Sequence, residues 1–189
     1  MTVYMNMKAI FFPALMLSFA LSSASPAQSC REVVRDSSGR IVQTIERQKA
    51  PSGAERAVIR DATGRITGTA TTYPTVAGNT RTTFRDASGR ISGSATSQSG
   101  AHGSSRTTYR DSSGRMTNSA TTSQSAGSVS RTTFRDASGR VSGSETTQRG
   151  MTTTTRRRDA SGRLAGSSTA TGKCQGVGRV PFPPPAAKK

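Results

Sequence analysis

The chain has no tryptophan, a single histidine, two cysteines and only ten acidic side chains among its 189 residues. Each shortage closes off something. With 31% hydrophobic and 5% aromatic residues, there is too little apolar material for a thick globular core, and the composition edges towards disorder. The lone His102 lies in a Gly/Ser loop with no ligand or catalytic partner in its pattern, so it reads as a surface residue. No Cys-x-x-Cys, His-Glu-x-x-His or Gly-x-Ser-x-Gly occurs. The stretch Gly166–Cys174 has the look of a phosphate loop, but its glycines stand one residue too far apart and Cys174 replaces the required hydroxyl. The expectation is a non-enzymatic protein with no catalytic residues, no metal site and no cofactor.

What is present is a repeat. Arg81-Thr-Thr-Phe-Arg-Asp-Ala-Ser-Gly-Arg-Ile-Ser-Gly-Ser-Ala-Thr96 recurs six times, in copies centred on Asp36, Asp61, Asp86, Asp111, Asp136 and Asp159. The first five copies are 25 residues apart and the last step is 23. A fixed period in this range marks a repeat architecture. These are all six aspartates of the chain, which makes them turn formers rather than catalytic acids. Asp bonds the backbone two residues on, and the matching glycines (Gly39, Gly64, Gly89, Gly114, Gly139, Gly162) supply the left-handed residue that ends a type I turn. The β-branched, alternating flanks read as strands. The expected fold is all-β: six 25-residue β-hairpin repeats forming a curled meander sheet, a barrel or a solenoid.

Register within the hairpin decides which side chains face inward, because a one-residue slip reverses every one of them. A three-residue loop pairs Asp86 with Arg90 but sends Phe84 and Ile91 to opposite faces. A four-residue loop puts Phe84 beside Ile91. Burying both is worth about 3 kcal/mol or more, against roughly 0.2–1 kcal/mol for a cross-strand charge pair. The four-residue loop is therefore expected, with Thr82, Phe84, Ile91, Gly93 and Ala95 on one face. Arg81, Thr83, Arg85, Arg90, Ser92 and Ser94 would share the other. In the sixth copy Arg157 stands where the others carry an apolar residue, so the last hairpin is expected to be an end cap or poorly formed.

The ends differ from the repeats. Residues 1–27 read as a signal peptide, with Lys8 before an apolar run from Ala9 to about Ala20 and small residues at Ser25-Pro26-Ala27. Translation could start at Met1, Met5 or Met7. The run is short for a transmembrane span, and Ala27-Gln28-Ser29 matches a lipobox before Cys30 poorly. A repeat domain over 28–174 and a Pro-rich polyproline II tail over 175–189 follow. In a secreted or periplasmic product, with no transmembrane segment after cleavage, Cys30 and Cys174 are expected to form a disulfide. They bracket the array. Twelve strands laid flat would span roughly 55 Å, whereas a disulfide needs Cα atoms within about 7 Å, so the bond requires the array to curl up or fold back. The alternative is two free or intermolecular thiols.

Charge is the strongest positive feature. Lys+Arg 27 against Asp+Glu 10 gives +17, and Arg supplies 22 of the 27. The arginines sit at repeating places, so Arg85, Arg90, Arg110, Arg115, Arg135 and Arg140 are candidate contacts for an anionic polysaccharide, lipopolysaccharide or nucleic acid. Two other readings remain open beside polyanion binding. One is a structural, self-associating surface or matrix protein. The other is a small secreted effector acting through protein contacts. The charge itself could also serve only to keep a Ser/Thr-rich sheet soluble.

The unit Phe84-Arg-Asp-Ala-Ser-Gly-Arg-Ile91 resembles the YD (Rhs-type) hairpin repeats of bacterial surface and secreted proteins, whose pattern is Tyr-Asp-x-x-Gly-Arg-Leu. The likeness rests on Asp86, Gly89, Arg90 and Ile91 and their equivalents, and departs at Arg85, where the family has Tyr. It implies a bacterial, exported hairpin-repeat protein and carries no site residue with it.

Overall fold

In the computed structural model, residues 28–125 and 127–172 are described. Residues 1–27, read above as a signal peptide, lie outside them, as do Cys174 and residues 175–189. Twelve antiparallel strands form six hairpins: β1 (Gln28–Asp36), β2 (Ile41–Lys49), β3 (Glu55–Asp61), β4 (Ile66–Pro74), β5 (Thr80–Asp86), β6 (Ile91–Ser99), β7 (Ser105–Asp111), β8 (Met116–Gln124), β9 (Val129–Asp136), β10 (Val141–Gln148), β11 (Thr153–Asp159) and β12 (Leu164–Gly172). Each pairs with its neighbours in sequence, and β1 pairs with β12, so the sheet is a closed barrel. The six Asp-x-x-Gly turns gather at one end. The longer Gly/Ser loops gather at the other.

The turn chemistry sets the register, and it sets a three-residue loop rather than four. In copy three the Asp86 amide donates to the Arg90 carbonyl (2.9 Å) and the Gly89 amide to the Asp86 carbonyl (3.0 Å). Asp86 Oδ1 accepts from the Ser88 and Arg90 amides at 2.9 and 3.0 Å. Gly89 takes φ +80°, the left-handed value that closes this loop. Immediately after the turn the strand bulges: Arg85 pairs with Ile91 but Phe84 pairs with Gly93, leaving Ser92 extra. The expectation of a shared Phe84–Ile91 face is thereby corrected. Ile91 lies beside Arg85 on the outside, 53% exposed. Thr82, Phe84, Gly93 and Ala95 do face inward together, as the alternation required. Area bookkeeping failed here because it weighed one apolar contact against one charge pair. The Asp side chain satisfies two backbone donors in every copy, and the bulge then restores the inward phase of the remaining strand.

Inside the barrel two apolar clusters meet at Phe84. One comprises Ala95, Tyr109, Ala120 and Phe134; the other comprises Ile45, Ala57 and Ala70, with Val34 against it. Phe134 and Tyr109 are 1% and 2% exposed. Burial pushes the Tyr109 phenol far above its ordinary range, and the nearby Glu145 carboxylate adds to this.

Where one hairpin meets the next, an inward polar pair bridges the seam. Hydroxyl pairs do this at Thr72–Thr82 (2.8 Å), Ser97–Thr107 (3.0 Å), Thr122–Thr132 (2.8 Å) and Thr147–Thr155 (3.0 Å). At the other two seams the partners are ionic or charge-assisted. Arg47 reaches Glu55 at 3.0 Å and Glu32 at 3.4 Å, and the Ser168 hydroxyl donates to Glu32 at 2.6 Å. Arg157 corrects another expectation: the sixth hairpin is fully formed, because Glu145 replaces the small residue opposite and takes the Arg157 guanidinium through Nε at 2.7 Å and through Nη2.

Glycine recurs where the seam is tightest. A Cβ at Gly93 would stand 2.5 Å from the Arg110 carbonyl of the next hairpin, and one at Gly68 or Gly143 would stand 2.6 Å from the corresponding Arg85 or Arg158 carbonyl. Three of the six seams therefore bring backbone against backbone just below the neighbouring turn, and Gly166 repeats the contact with Arg35 where the barrel closes.

The Arg47 network yields a test. Burial pushes the Glu55 carboxyl up and Arg47 pulls it back down. Arg47→Met would leave Glu32 and Glu55 buried without their cation, at a cost of about 3–5 kcal/mol in urea unfolding at neutral pH. A raised carboxyl pKa means that the folded state binds the proton more tightly, so stability is gained as pH falls through it. The deficit of the variant should accordingly shrink on mild acidification.

Candidate polyanion-binding rim

Every repeat delivers two arginines to the turn end of the barrel, one on each side of its Asp-x-x-Gly loop. The first of each pair is tied to its own turn. Arg85, Arg110, Arg135 and Arg158 donate through Nη1 to the glycine carbonyl four residues on at 2.8 Å, and Arg35 and Arg60 do so at 3.0 and 3.1 Å. Arg85, Arg110 and Arg135 are thus part of the turns' own hydrogen bonding. Each binds its own loop through one guanidinium nitrogen. The second of each pair (Arg40, Arg65, Arg90, Arg115, Arg140, Arg163) uses only its backbone, donating N–H to the aspartate. The guanidinium groups of these six are exposed and bond to no other described residue.

All six arginines singled out from the sequence, Arg85, Arg90, Arg110, Arg115, Arg135 and Arg140, thus fall on one rim over three neighbouring hairpins. Barrel closure brings in six more that went unselected: Arg35, Arg40, Arg60, Arg65, Arg158 and Arg163. Their signal was plain in the repeat, since they occupy the same two places beside each aspartate. Below this rim a second ring of exposed arginines faces outward from the odd-numbered strands, at Arg31, Arg56, Arg81, Arg106, Arg131 and Arg156.

The rim's negative charge is bound to its own turns. Each aspartate spends one oxygen on two backbone amides of its own loop. In three copies a hydroxyl also donates at 2.7 Å (Thr63, Ser113, Ser161), and this bond first of all holds the Asp61, Asp111 and Asp159 carboxyls below their ordinary value. Twelve guanidinium groups against six such carboxylates leave the rim strongly positive. Among the described residues Arg60 is the one rim arginine with an ion pair beyond its own turn, to Glu46 at 3.9 Å, which is an exposed contact of little worth. Among the described residues no three His, Cys, Asp or Glu side chains group as a metal site would need.

No family model, curated protein or solved structure matches the chain. The reading of the rim therefore rests on its own chemistry.

The two arginine sets should separate on substitution. Arg90, Arg115 and Arg140 changed together to Gln are expected to leave the melting temperature unchanged. Changing Arg85, Arg110 and Arg135 together should lower it, because three turns each lose a charge-assisted bond to a carbonyl. Carboxylates with depressed pKa values stabilise above the unfolded value and lose that effect as pH falls through the folded one. The contribution of Asp61, Asp111 and Asp159 should therefore persist across the neutral range and fade only below the ordinary value of 3.8, as acid titration of the melt would show.

Proposed function

We propose that the chain is an exported, non-enzymatic module that binds anionic polymers through the arginine rim. One observation carries this reading: six guanidinium groups, one per repeat, stand exposed around the closed barrel with no hydrogen bond to another described residue. Arg presents several donors in a fork suited to phosphate, sulfate and carboxylate. A circle of such forks engages a flexible polyanion in any rotational setting, so binding should be insensitive to the ligand's sequence. The aromatics that could stack on bases face inward instead, Tyr109 and Phe134 buried and Phe84 half-buried. This favours polysaccharide-like or backbone-only contacts. The fibre-forming alternative loses its usual physical basis, since closure leaves no free strand edge for a second copy to extend.

Export and the disulfide belong to the same proposal. Barrel closure sets Cys30 opposite Gly172, and Cys174 follows two residues later in the chain. Cys30 is buried on the inward side, 6% exposed, a position with no room for acyl chains and so opposed to a lipoprotein. Protein purified from its native host should begin near Gln28 and yield a Cys30–Cys174 peptide on non-reducing mapping. A product still carrying residues 1–27, or one with both thiols free, would contradict it.

Binding itself is tested on a heparin column and with a phosphate-bearing polymer. Retention should be strong at low salt and lost by about 0.5 M, with log affinity falling linearly in log salt at roughly −0.7 to −0.9 per phosphate neutralised. The Arg90, Arg115 and Arg140 to Gln variant should lower the slope by about one unit for each contacting arginine removed. An unchanged slope would reduce the charge to a solubility device.

A further inference from the structure

The three-residue turn leaves an apolar side chain on the outside of the barrel in all six copies. Ile41, Ile66, Ile91, Met116, Val141 and Leu164 are 41–53% exposed, and they pair directly with Arg35, Arg60, Arg85, Arg110, Arg135 and Arg158. The step from hairpin to hairpin repeats around the barrel, with Gln43, Gly68, Gly93, Asn118, Gly143 and Gly166 each opposite the aspartate of the next turn. Equivalent residues therefore lie at one height on the axis. The six apolar side chains form a belt in a single plane, alternating with arginines and just below the turn tips. Elsewhere the outer face of the strands is mainly Thr, Ser and Arg. The loop end has no comparable belt, its exposed apolar residues being Tyr73, Val76 and Met151.

Six half-exposed apolar groups kept at one level serve no purpose in polymer binding, and a solubility device would exclude them. We propose that the rim docks, turns first and with the barrel axis upright, on the surface of an anionic phospholipid bilayer. The proposal rests on the arginine rim being an anion site and names the surface that fits it. The turn tips contain only Ser, Ala, Thr and Gly between the aspartate and the second arginine, small enough to enter the headgroup layer. Entry to that depth brings the belt to the boundary of the acyl chains while the arginines bond the lipid phosphates. This is the pairing of apolar burial with electrostatic attraction that holds interfacial proteins. Spanning is a different matter. A bilayer-crossing barrel needs an apolar band around its outer surface, whereas this barrel turns Phe84, Tyr109 and Phe134 inward and carries rings of arginine on its outer surface.

Vesicle flotation, run beside heparin chromatography on the same full-length protein, tests the inference. The parent should float with phosphatidylglycerol-containing vesicles and only weakly with phosphatidylcholine alone. Changing Ile66, Ile91 and Met116 together to Asn should weaken vesicle binding by about tenfold or more and leave heparin elution unmoved. A parent that is retained on heparin but does not float, or a triple variant that floats like the parent, overturns the docking and leaves the polymer reading standing. Binding to neither overturns both. Should the triple variant fold poorly, Ile91→Trp gives a separate reading, since the chain has no other tryptophan. Its emission should shift to the blue with phosphatidylglycerol vesicles and be quenched by brominated acyl chains. Emission unchanged by vesicles, with heparin binding intact, would equally overturn it.

Discussion

Two hydrogen bonds from a loop's backbone to one aspartate oxygen determine where almost every other side chain in this protein points. They close the turn over three residues, which forces a bulge one residue later. The three-residue loop sends Phe84 and its equivalents inward and Ile91 and its equivalents outward, and the bulge returns Gly93 and the rest of the strand to the inward phase. The same turn holds one arginine against its glycine carbonyl and leaves the other free. Core, rim charge and apolar belt are all consequences of this one local arrangement, copied six times.

Copying alone would give an open ribbon, and the seams between hairpins make it a barrel. Each seam has an inward polar pair, and at four of the six a glycine adds a close backbone approach just below the next turn. Four seams use neutral hydroxyl pairs, which are inexpensive to bury because donor and acceptor satisfy each other. The two seams flanking the first hairpin use carboxylates and Arg47 instead, and those charges are hydrogen-bonded on several sides, as burial demands. The small apolar content is thereby sufficient. A barrel has no unpaired edges to protect, and its inward face needs only Ala, a few Phe and Tyr, and threonine.

Much of this was legible in the residues. The period, the turn roles of Asp86 and Gly89, the strand alternation and the inward set Thr82, Phe84, Gly93 and Ala95 follow from pattern alone. Closure was within reach through the two cysteines, given an exported chain. Ile91 was misplaced because a bulge leaves no mark in a binary pattern. The tie between Arg85 and the Gly89 carbonyl was hidden because a side chain reaching back over its own turn depends on the loop's length. The sixth hairpin was underrated for a different reason. Arg157 was weighed alone, although Glu145 had changed from the small residue of its repeat position in step with it.

The account stands or falls on closure, since an open array would have neither a circular rim nor a planar belt. The most direct measurement is the backbone NMR contact between β1 and β12 in dilute protein. The closed barrel predicts close proton–proton contacts across the Val33–Thr169 pairing, slow amide exchange on both strands, and the mass of a monomer. Fast exchange along β1 and β12 would contradict it, as would contacts between them that appear only when differently labelled chains are mixed.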